Sequence, residues 1–145
     1  MSQPTLNQYT PVKFSRIYSL GAARGDLTVT NDDIAGPIDS SDEWIRQRTG
    51  IITRRRASEN LSLMDMAVSA SLEAIKNAGI DASEIGAVLF STITHPHQTP
   101  SAAALLADKI GANPAPAFDI SAACAGYCYG IAQAASPVNR TAHPG

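Results

Sequence analysis

Cys124 stands in the segment Asp119-Ile-Ser-Ala-Ala-Cys-Ala-Gly-Tyr127, where a short apolar run gives way to an alanine-rich stretch. The thiolate is the reactive form of cysteine, and the free N–H groups at the start of a helix favour it. Ala122, Ala123, Ala125 and Gly126 leave the sulfur open to a long, thin substrate, and a backbone N–H at such a turn can face an oxyanion. The chemistry these residues allow is nucleophilic, with a covalent intermediate held on sulfur. A cysteine among alanines serves equally as a small core residue, and the local sequence leaves both readings open. Cys128, one helical turn later, is expected to face the same way and to pack.

A second combination is Trp44 with Arg48. At i and i+4 on a short helix, an indole and a guanidinium share one face and offer a stacking surface beside a phosphate-directed cation. Taken alone, Trp44 also reads as a half-buried core anchor. Eight of the eleven basic residues precede position 57, and Arg46, Arg48, Arg54, Arg55 and Arg56 fall within eleven residues. Such a cluster is either a solvated face or a local patch for a small polyanion such as a nucleotide cofactor. His95 and His97 flank Pro96 in a loop and have no third ligand, so no metal site is expected there. His143, in the final segment, is given no catalytic role.

The elements that position these residues follow from periodicity and punctuation. Residues 1–11 read as a flexible lead-in. Val12–Leu20 is β-branched and aromatic and closes at Gly21, the pattern of a strand. Residues 28–56 form an irregular polar segment with at least one short helix, in which Ser40 and Glu43 have capping-box spacing and Gly50 is the stop. Ser62 and Asp65 repeat that spacing before a helix that ends at Gly79. Ala87–Ile93 and Ala115–Ile120 read as buried strands. Between them a helix is expected from Pro100, capped by Thr99, to Ile110. A last helix spans Cys124–Ala135. Alternating strands and helices predict an α/β layer with a parallel-sheet core and flanking helices. Ser136–Gly145 (SPVNRTAHPG) breaks the pattern, and the chain is expected to be a truncated piece of a larger fold.

Composition excludes several classes. Forty-four per cent hydrophobic and 17% charged residues are ordinary for a globular chain of 145 residues with a core. A net charge of −2 argues against nucleic acid as a partner. No apolar run approaches the ~18 residues that span a bilayer, so no membrane partner is expected. Met1–Thr10 lacks the layout of a secretory signal, and two cysteines four residues apart make neither a disulfide framework nor a four-ligand zinc site. A cytoplasmic setting is the expectation.

The segments SAACAGY, SSDEWIRQRTGI about eighty residues earlier, and GAVLFSTITHPHQTPSAA between them occur together in order. In this the chain resembles the β-ketoacyl-acyl-carrier-protein synthase III family of the thiolase superfamily, from about Val12 to Ala135. The resemblance implies a partial, N-terminal thiolase-like domain over residues 12–135, with 28–56 as a CoA-binding insertion and 136–145 as an aberrant tail. It implies an acyltransferase that starts type II fatty acid or polyketide synthesis by decarboxylating condensation of an acyl-CoA primer with malonyl-acyl-carrier protein. By resemblance, Cys124 is the catalytic nucleophile, Trp44 stacks on the adenine of CoA, Arg48 lies beside it, and Ser40 sits where a hydroxyl approaches the adenine. Thr99 falls in a loop that reaches across a homodimer interface towards the partner's acyl pocket, where a small side chain leaves room for a longer or branched primer. Acyl-CoA is then a substrate, and no cofactor is implied.

In the family a histidine and an asparagine from the second half of the fold steady the charge as CO₂ departs, and that half is absent from this sequence. The alternatives are a shortened or frameshifted synthase, a non-catalytic CoA-binding remnant, or a related CoA-thioester condensing enzyme such as a hydroxymethylglutaryl-CoA synthase.

Overall fold

Polar caps and glycine stops set most of the helix boundaries. In the computed structural model, which describes residues 15–135, the chain forms two compact units, one of them Ser19–Ile80. That unit contains β1 (Leu27–Thr30), α1 (Asp32–Ala35), α2 (Asp42–Thr49), β2 (Thr53–Arg56) and α3 (Leu63–Ala78). The two strands pair antiparallel, with Leu27 opposite Arg56 and Thr30 opposite Thr53. Residues 28–56 are therefore more regular than their polarity predicts. The sequence predicts neither strand; in the second, Thr-Arg-Arg-Arg, the charges mask the alternation.

Helix α3 begins at a complete capping box between Ser62 and Asp65 and ends at Gly79, whose φ of 67° is a left-handed conformation that glycine adopts without a Cβ clash. Residues 15–20, the described part of the expected strand Val12–Leu20, form no strand. Ser19 and the residues after it are held on α3 instead. The Ser19 hydroxyl donates to the Ala74 carbonyl at 2.8 Å, and Asn77 donates to the Leu20 carbonyl at 2.9 Å. Gly21 makes the approach possible, because a Cβ there would overlap the backbone of Ala70.

The described part of the second unit, residues 15–18 and 81–135, contains a 3₁₀ turn (Ala82–Glu84), β3 (Val88–Ser91), α4 (Ala102–Ile110), β4 (Ala117–Ile120), a second 3₁₀ turn (Ala123–Ala125) and α5 (Gly126–Ala134). Strands β3 and β4 pair in parallel, Val88 opposite Ala117 and Ser91 opposite Ile120. The core lies where α4 crosses this pair. Ala102, Ala103, Leu106, Ala107 and Ile110 recur at helical period and are buried together with Val88 and Ala112. Ser101 caps α4, its hydroxyl accepting from the Ala104 N–H at 3.2 Å. The sequence places that start at Thr99 and Pro100, two residues early.

Helix α5 buries only Gly126 and leaves Tyr127, Tyr129 and Ile131 exposed. The parallel sheet has two strands among the described residues, where the sequence predicts three. No helix among them is long and apolar enough to cross a membrane. The expected lead-in 1–11, the tail 136–145 and His143 lie outside the described residues.

Candidate functional site

Cys124 emerges at the C-terminal ends of two parallel strands, the edge of an α/β sheet where ligands bind. β4 ends at Ile120, and the chain turns through Ala123–Ala125 before α5 starts at Gly126. The sequence predicts a helix from Cys124 itself. The helix starts later because Ala123 takes a φ of 45°, a left-handed conformation that costs an L-residue about 1–2 kcal/mol. Strain of this kind persists where surrounding contacts enforce it. Cys124 is exposed and lines an open cavity of about 650 Å³ with Leu89, Ser91, Tyr127 and Ile131. Cys128 corrects the expectation made for it. It is exposed rather than packed and does not line this cavity.

In the Ser19–Ile80 unit, α2 carries the second candidate group. Its cap is Ser41, whose hydroxyl accepts from the Trp44 N–H at 3.2 Å, and not Ser40 as the sequence predicts. Ser40 instead donates its backbone N–H to the Ala35 carbonyl at 3.0 Å. Its hydroxyl is buried and has no hydrogen-bond partner among the described residues. Ile38, Asp39, Ser40, Ser41 and Trp44 line a cavity of about 510 Å³. Trp44 is 53% exposed, so it is not a core anchor, whereas its neighbour Ile45 is buried. The Arg48 guanidinium lies over the indole, 5.4 Å from the ring centroid, within cation–π range.

The arginine cluster does not form one patch. Arg46 pairs with Asp42 at 2.7 Å. Arg54 donates to the Thr30 carbonyl at 2.7 Å and to Asn31 Oδ1 at 2.6 Å. Arg55 donates to the Gly25 carbonyl at 2.8 Å and also to the Thr28 hydroxyl. Strand alternation sends these side chains to opposite faces of β2. Arg48 remains the cation beside the Trp44 cavity.

Thr99 is exposed in the irregular segment between β3 and α4 and does not line the Cys124 cavity. The His95 and His97 rings meet edge to face, with centroids 5.7 Å apart. No group of three His, Cys, Asp or Glu among the described residues could hold a metal ion.

No family model matches the chain. A curated β-ketoacyl-acyl-carrier-protein synthase III from Kocuria rhizophila is 53% identical over 134 residues, 92% of this chain and 38% of the relative. One of the same name from Tropheryma whipplei is 50% identical over 123 residues, 85% of this chain and 38% of the relative. Over the aligned residues the chain is similar to β-ketoacyl-acyl-carrier-protein synthase III enzymes. It spans about 38% of the length of these synthase III relatives.

Solved structures agree with an α/β thiolase-like fold. A priming β-ketosynthase of a polyketide biosynthetic pathway matches with a TM-score of 0.83 and 39% identity, covering 92% of this chain and 40% of its own. A 3-oxoacyl-acyl-carrier-protein synthase III from Aquifex aeolicus matches with a TM-score of 0.78 and 35% identity, covering 86% and 40%.

Three supporting residues escape sequence reasoning. Asn31, 1% exposed, donates to Asp42 at 2.7 Å and to the Ile51 carbonyl at 2.8 Å while accepting from Arg54. It ties α2 to the β1–β2 pair. Its bond to Asp42 and that of Arg46, which is the larger effect, hold the Asp42 carboxyl below the ordinary aspartate value. Asp119 caps α4 from β4, and Ser91 donates to the Gly126 carbonyl at 2.9 Å. Their partners lie 11 to 35 residues away, so no local pattern marks them.

Proposed function

We propose that this chain carries the acyl-accepting half of a condensing enzyme, and that Cys124 is its nucleophile. The thiolate attacks the thioester carbonyl of an acyl-CoA. An Sγ–acyl bond forms, the bond from the acyl carbon to the CoA sulfur breaks, and CoA leaves as the thiol with the proton that Cys124 gave up. The reading is supported chiefly by Cys124 itself: it is exposed on a strained turn after a parallel strand, in a chain similar to synthase III enzymes.

Trp44, Arg48 and Ser40 are proposed to receive the nucleotide end of CoA. The exposed indole offers a stacking face, Arg48 a charge for phosphate, and the Ser40 hydroxyl, without a partner among the described residues, a hydrogen bond to a base. In the whole enzyme the acyl-cysteine would meet malonyl-acyl-carrier protein. Loss of CO₂ leaves a carbanion equivalent that attacks the acyl carbon, releasing the β-ketoacyl thioester and returning the thiolate. That step, a homodimeric assembly and residues 28–56 as a CoA-binding insertion are what the family resemblance implies, and they stand as proposals.

Mass spectrometry after mixing with acetyl-CoA tests the first half. An acetyl adduct on the peptide containing Cys124, absent from Cys124→Ala, is expected. No acetyl adduct on either protein would make the chain a CoA-binding remnant at most.

A further inference from the structure

We propose that Ser91 is a positioning residue for Cys124, holding the first turn of α5 against the end of β3 so that the nucleophile turn keeps its strained shape. The inference rests on the reading of Cys124 as nucleophile. α2, α3 and α4 each start at a serine, Ser41, Ser62 and Ser101, whose hydroxyl accepts the backbone N–H of Trp44, Asp65 and Ala104 respectively. The chain at Cys124 has no such device: neither Ala122, before the 3₁₀ turn, nor Ala125, before α5, supplies a side-chain cap. A turn with Ala123 at a φ of 45° and no cap of its own must be held from outside.

Ser91 does this. It is the last residue of β3, opposite the last residue of β4, and its hydroxyl donates to the Gly126 carbonyl at 2.9 Å across 35 residues of sequence. The same side chain fills the groove left by two glycines one helical turn apart. A Cβ at Gly126 would lie 3.1 Å from Ser91 Cβ, and one at Gly130 would lie 3.2 Å from Ser91 Oγ. The bond also polarises the peptide joining Gly126 to Tyr127, in the first turn of α5.

Alkylation by iodoacetamide at fixed pH, followed by peptide mapping, reads Cys124 and Cys128 separately in one protein. Cys128, exposed on α5 itself, is the internal reference. Ser91→Ala is expected to lower the Cys124-to-Cys128 rate ratio about threefold or more, the effect of one hydrogen bond. Gly130→Ala, which displaces the hydroxyl from the helix side, should move the ratio in the same direction. An unchanged ratio in both variants overturns the proposal. So does a change shared equally by the two cysteines, which marks general loosening of the helix. If the ratio falls but acetyl-CoA leaves no adduct on Cys124, Ser91 keeps its positioning role and the acyl-transfer reading fails instead.

Discussion

The Asp119 carboxylate accepts the backbone N–H of Ala103 at 2.7 Å, and its other oxygen accepts that of Ala102 at 2.9 Å. A side chain on β4, five residues before Cys124, thus caps the N-terminus of α4, the most buried helix of its unit. Ser101 caps the same helix locally, so α4 is held both within its own segment and from the neighbouring strand.

Asp119→Ala leaves the two N–H groups without their acceptor. Loss of a helix cap costs about 1–2 kcal/mol. The urea midpoint is expected to fall accordingly, with Asp119→Asn between wild type and alanine because an amide keeps one acceptor oxygen. An Asp119→Ala midpoint equal to wild type would mean that Ser101 suffices.

Asn31→Ala removes one buried side chain and three hydrogen bonds, two of them to charged groups. The expected loss is about 2 kcal/mol, since Asp42, Arg54 and the Ile51 carbonyl each lose a partner. Trp44 is the sole tryptophan and reports on α2 directly. Its fluorescence should follow an earlier unfolding transition in this variant, and coincident curves would refute the hub role.

Acid should loosen the Ser19–Ile80 unit from a defined point. Asp26, Asp33 and Asp42 are all held below the ordinary aspartate value, by bonds from Ser58, Thr30 and Arg46 respectively. A carboxyl depressed in the folded state binds fewer protons there than in the unfolded chain, so its contribution is complete above the unfolded value of about 3.9. It is lost as pH falls through the folded value. Trp44 fluorescence is expected to stay flat from neutrality to about pH 5 and to change below about pH 4. A transition centred near neutrality would point to other groups.

Arg48→Ala removes the cation over Trp44 and, on the proposed reading, a phosphate partner. Binding of CoA, followed by quenching of Trp44, should weaken about tenfold, the scale of one charge-assisted hydrogen bond. Arg54→Ala, on β2 and tied to Asn31, serves as the contrast: it should lower stability and leave the affinity of the folded protein near wild type. Equal losses of affinity would return the cluster to a general electrostatic patch.

Thr99→Phe tests the primer proposal. Acylation by isobutyryl-CoA and longer primers should fall relative to acetyl-CoA, measured as initial rates of adduct formation on Cys124. A drop of equal size for every primer would mean that Thr99 does not select among them.

Several helix ends were legible in the sequence because their signals are local. Ser62 with Asp65, and the glycines at 50, 79 and 111, act within one turn of the chain, and each appears where the sequence puts it. The similarity to synthase III enzymes was legible in three short segments. Other features were decided by partners far along the chain. The Thr-Arg-Arg-Arg strand exists because β1 lies beside it, and the basic cluster divides because Thr30, Asn31 and Gly25 draw its arginines apart.

The sequence by itself determined that a cysteine follows a short strand among small residues and that an indole and a guanidinium stand four residues apart. Only the tertiary structure decided that Cys124 precedes its helix on a left-handed turn, that Trp44 faces solvent beneath Arg48, and that Ser91 and Asp119 hold helix starts from strands. Periodicity records which face of an element is apolar. It does not record which distant polar atom will meet an unsatisfied N–H or C=O, and that pairing exists only once the chain has folded.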